Sequence, residues 1–164
     1  MNTRLTLLAL GVAVLTLSAG GCPICPEGSP NLAVVRIDFE LIETTSTTSG
    51  TVRVTGVITN SGTSTYNSGT GQQSIQLYEG SDLQQAPVAQ TDFEDLAAGA
   101  MLTVTYETEW STSSEFLPDY YVLLINLDPD LHLDGNEAND ECPATDNVLS
   151  RDATEINDLP GWDS

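Results

Sequence analysis

The chain has no lysine among its 164 residues, and only four arginines and one histidine stand against 24 acidic residues. Its formal net charge is −20. A field of that sign repels phosphate backbones, which argues against nucleic acid as a partner. It also repels anionic membrane surfaces, so any membrane attachment has to rest on apolar groups. The scarcity of histidine and lysine removes most acid–base and nucleophile schemes. No G-x-S-x-G elbow and no H-E-x-x-H segment occurs. Paired carboxylates could serve a glycosidase, but among 24 acids pairs arise by chance. An enzyme would need a metal at His132 with acids nearby, and the composition points instead to a protein without catalysis.

Long apolar runs are also scarce. The longest, residues 5–19, holds about 15 residues, short of the roughly 20 that a spanning helix needs. Arg4 precedes it and Ser18-Ala19-Gly20-Gly21-Cys22 closes it. That order is expected of a secretory signal peptide. Small residues directly before a cysteine resemble the lipobox of bacterial lipoproteins, although Ala19 stands where that family usually has Leu. The resemblance implies that residues 1–21 are removed and that Cys22 carries the lipid. Two or more acyl chains anchor a protein stably. The alternative is ordinary cleavage near Ala19 without lipid. Pro23 rather than Asp follows Cys22, which leaves the outer membrane or cell surface open. Residues 22–30 are rich in Pro and Gly and read as a tether.

Cysteine is limited to Cys22, Cys25 and Cys142, an odd number for an exported chain. Lipidation of Cys22 leaves Cys25 and Cys142 as a candidate disulfide in an oxidising compartment. Such a bridge would contribute at most roughly 4–5 kcal/mol by the chain-entropy account. A rival reading takes Cys22-Pro23-Ile24-Cys25 as a redox or zinc C-x-x-C, with Cys142 and His132 completing a metal set. It sits on a leader junction, however, and the His-to-Cys gap lacks the short spacing of structural zinc sites.

What the body does have is strand pattern. Thr51-Val52-Arg53-Val54-Thr55-Gly56-Val57-Ile58-Thr59 alternates, and Leu102, Val104, Tyr106, Thr108 and Trp110 share one face of another run. Residues 32–42, 74–78, 88–93 and 120–127 read as further strands, and Asn147-Val148-Leu149 opens the last. The inward set of 120–127 is expected to be Tyr121, Leu123, Ile125 and Leu127. Residues 44–50 and 63–71 read as Ser/Thr loops. About seven short antiparallel strands at this spacing predict an all-β fold of two packed sheets. Tyr121 is either a tyrosine corner, bonded to upstream backbone, or a plain core tyrosine.

Pro30-Asn31-Leu32-Ala33-Val34, Val57-Ile58-Thr59-Asn60-Ser61-Gly62, Leu96-Ala97-Ala98-Gly99 and Asp128-Pro129-Asp130 followed by Asn136-Glu137-Ala138-Asn139-Asp140 appear in that order. The ordered set resembles the CARDB domain, the cell-adhesion-related domain of bacteria. The match runs from residue 31 to about 149. It implies an immunoglobulin-like sandwich over residues 31–152, with a non-catalytic binding or adhesion role toward a protein or glycan outside the cytoplasm. Asp140 departs from the family's closing Asn, and residues 141–146 look inserted. Residues 153–164 read as an acidic C-terminal tail, either disordered or laying Trp162 on the domain.

One segment could carry site chemistry. Asp128, Asp130, Asp134, Asn136, Glu137 and Glu141 form an oxygen-rich run with Gly135 at the place an EF-hand loop turns. Calcium takes six to eight oxygens and could use these, which gives the alternative of a calcium-dependent module over 128–141. The same Asp, Asn and Gly residues are also what a tight turn uses to bond its own backbone.

Overall fold

The computed structural model describes residues 28–127, 133–142 and 145–162. Strands β1 (Leu32–Ser46), β2 (Ser49–Asn60) and β7 (Met101–Ser111) form one antiparallel sheet in the order β1-β2-β7. Strands β4 (Gln73–Glu79), β5 (Ala89–Phe93), β8 (Tyr120–Asn126) and β9 (Val148–Asp152) form the second, in the order β5-β4-β8-β9. These are the seven main strands of an immunoglobulin-like sandwich. Two further strands of two residues each, β3 (Tyr66–Asn67) and β6 (Asp95–Leu96), pair with one another. Among the described residues no helix is long and apolar enough to cross a membrane.

Period-2 alternation sets which face is buried. On β2, Val52, Val54 and Ile58 point inward and are fully buried. Tyr121, Leu123 and Ile125 do the same on β8, and Ile75 and Leu77 on β4. Each such side chain contributes about 1.5–3 kcal/mol relative to exposure. Leu127 packs partly against this core, as expected, and Val104 and Trp110 close it from β7.

Residues 44–50 are not a loop. Thr44 pairs with Gly50 and Ser46 with Ser49, which leaves a turn of Thr47 and Thr48 only. Ser and Thr suit a strand as readily as a loop when a partner strand lies opposite. The pairing slips between Leu41 and Glu43 and between Thr44 and Ser46. Gly50 permits this slip, because a Cβ there would lie 2.2 Å from the Glu43 carbonyl oxygen.

Tyr121 is not a tyrosine corner. Its hydroxyl donates to Glu79 Oε1 at 3.0 Å, a side chain on the neighbouring strand, rather than to backbone. The segment expected as a tail also belongs to the domain. Asp152 caps a short 3-10 helix (Ala153–Asp158) by accepting from the Thr154 amide. Ala153, Ile156 and Trp162 then enter the core, with Trp162 Nε1 donating to the Ile156 carbonyl at 2.8 Å.

The two sheets meet along the β1 and β9 edges. The Val34 amide donates to the Asp146 carbonyl at 2.8 Å. Arg151 donates to the Ile37 carbonyl, lies 4.5 Å over the Phe39 ring and pairs with Glu155 at 2.8 Å. This closes an edge that would otherwise offer free backbone groups.

Candidate functional site

Strand direction gives the sandwich an entry end, where the described chain begins, and a far end. At the entry end, the Ser29 and Pro30 carbonyls accept from the Thr63 and Cys142 amides. The loop after β8 lies here, because the Ile125 amide bonds the Asn147 carbonyl and the Asn67 amide bonds the Ala138 carbonyl.

The described part of the acidic loop is a self-bonded turn. Asp134 Oδ1 accepts from the Asn136 amide at 2.9 Å, and Oδ2 accepts from Asn139 Nδ2 at 3.0 Å. Asn136 Oδ1 accepts from the Ala138 amide, and its Nδ2 donates to the Asn67 carbonyl. Gly135 adopts a φ of 75°, which favours glycine. Glu137 is exposed. Asp128 and Asp130 lie outside the described residues, as does His132. Among the described residues no three Asp, Glu, His or Cys side chains gather where they could hold a metal.

Glu141 behaves differently from its neighbours in the run. It is 2% exposed, and its Oε2 accepts from Asn147 Nδ2 at 2.9 Å. Its Oε1 is buried without a hydrogen-bond partner, and so are Asp146 Oδ1 and Asn147 Oδ1. Burial pushes the Glu141 carboxyl up to about 7; the Asn147 amide and the Leu32 backbone oppose this rise, while the Asp146 charge adds to it. Asp146 and Asn147 belong to this group, yet no spacing in the sequence marks them as partners of Glu141. Next in the chain, Cys142 is disulfide-bonded. Cys22 and Cys25 lie outside the described residues.

At the far end, the Thr47-Thr48 turn, Thr112 after β7 and the chain from Asn157 to Trp162 surround a cavity of about 470 Å³. Its wall is rich in hydroxyl, amide and carboxylate groups from Thr47, Thr48, Thr112, Asn157 and Asp158. Asn157 is held by Trp110 Nε1, which donates to its Oδ1 at 2.9 Å. Trp162 is 6% exposed, so it braces the wall more than it presents a face. Phe116, on the loop between β7 and β8, is 95% exposed. The cavity can hold a small polar group by hydrogen bonds, and Phe116 is exposed on a loop at the same end.

No protein-family model matches the chain, and no curated protein matches it either.

Proposed function

We propose that this chain is a non-catalytic lipoprotein of the cell envelope whose CARDB-like sandwich binds a protein or glycan outside the cytoplasm. The leader and the small residues before Cys22 support the lipid anchor. The observation that carries the binding role is the separation of the two ends. The chain enters beside Pro30, whereas the cavity and Phe116 lie at the opposite end, clear of an anchor. Polar groups with an exposed aromatic suit recognition of a surface.

Two measurements test this reading together. Cys22→Ser should move the protein from the membrane fraction to the soluble one. Continued sedimentation of that variant with membranes would remove the anchor. Purified protein should be retained on native envelope material, and Phe116→Ser with Thr112→Ala should reduce that retention. Glu109→Ala, on an exposed strand position, should not. Equal retention of all forms would place the contact elsewhere.

A further inference from the structure

We infer that Glu141, Asp146 and Asn147 form a binding site for a divalent, oxygen-seeking cation of the calcium class at the entry end of the sandwich. The three residues stand together. Glu141 is bonded to Asn147, Asp146 is the next residue along, and the Asp146 charge acts on Glu141. Each offers one buried oxygen that accepts from nothing. Leaving such an acceptor unpaired costs about 1–3 kcal/mol, and more when it is charged. Native proteins carry few of them, so a group of this kind calls for an explanation.

A cationic side chain, a proton, a water or a metal ion could repair it; one water has two hydrogens for three acceptors and leaves both carboxylate charges without a counter-charge. The described arginines are committed elsewhere: Arg36 to Asp38, Arg53 to Glu40 and Glu107, and Arg151 to Glu155. There is no lysine. A proton on Glu141 Oε1 supplies one donor and satisfies one neighbour, which leaves the third oxygen orphaned. A cation takes all three and offsets both carboxylates. Carboxylate and amide oxygens are the ligands that calcium prefers, with waters or carbonyls filling the remaining positions. Two carboxylates are a low charge for such a site. The affinity therefore belongs at the weak end of the range, with a Kd on the order of 10⁻⁴–10⁻³ M. This site differs from the turn at Asp134 and Asn136, whose oxygens already have donors. It belongs to the folded domain with or without a lipid.

The test is calorimetric titration of the purified, EDTA-treated full chain with calcium chloride at pH 7. One ion should bind per chain. Glu141→Gln should abolish the binding, while Glu137→Gln should preserve it. No saturable binding up to about 10 mM, ten times the weak limit, would overturn the site. Binding that survives Glu141→Gln would overturn it equally. Asp146→Asn, at a half-buried position, decides the matter if Glu141→Gln fails to fold: it should weaken binding about tenfold or more, and unaltered affinity would overturn the site.

Discussion

Asn60 spends its whole side-chain amide on the backbone around it. Its Oδ1 accepts from the Asn31 and Gly62 amides, and its Nδ2 donates to the Ser64 and Leu96 carbonyls, each within 3.1 Å. Asn60 is fully buried. Asn60→Ala strands several of those groups at once and should cost about 3 kcal/mol or more, read as a lower urea midpoint. A loss below about 1 kcal/mol would mean that water takes over the bonds. Glu141 gives the residue scale a pH signature in metal-free solution. Its folded carboxyl titrates near 7 against an ordinary 4.5, so between those values the folded state holds the extra proton. Its contribution is therefore whole below about 4.5 and lost as pH rises to about 7, a fall of roughly 3 kcal/mol at most. With chelator present, the melting midpoint should decline over that window, and Glu141→Gln should flatten the decline. A decline that persists unchanged in the variant would assign it to other groups.

At the scale of elements, the C-terminal segment acts as an eighth core-building piece. Trp162 is 6% exposed and Ile156 fully buried. Trp162→Ala should cost about 3–5 kcal/mol and expose residues after Asp152 to protease. Proteolysis that leaves the variant's C-terminus intact would contradict this. The strands themselves were legible, because Val52, Val54 and Ile58 on β2 and Leu102, Val104 and Trp110 on β7 alternate as a half-buried strand must. The tail was not, since its buried residues Ala153, Ile156 and Trp162 are scattered through acidic sequence in a helix too short to show a period. Tyr66 is fully buried within a Ser/Thr/Gly stretch for a similar reason: one large side chain in a polar loop leaves no pattern. The acidic loop was visible as a run of oxygen ligands. Its division into a self-bonded turn and a buried carboxylate depends on chain reversal, which spacing does not encode. The far cavity draws on residues 47–48, 112 and 157–162, far apart in the chain; pairing of β2 with β7 joins the first two, and packing of the C-terminal segment adds the third.

At the scale of the whole molecule, the entry-end loop carries the disulfide-bonded Cys142. Cys142→Ser should lower stability by about 2–4 kcal/mol, measured as the guanidinium midpoint. With Cys22 acylated, non-reducing peptide mapping should join Cys142 to Cys25; a link to Cys22 would oppose the lipid proposal. An unchanged midpoint would show that the bridge adds nothing to a domain already held by its sheets. The opposed ends carry one more consequence. β1 runs for 15 residues, which at about 3.3 Å each amounts to roughly 50 Å. A membrane-held copy would raise its hydroxyl-lined rim that far above the headgroups, several times the screening distance of about 8 Å. A strongly acidic module could then meet its target without being pushed back by the lipids beneath it.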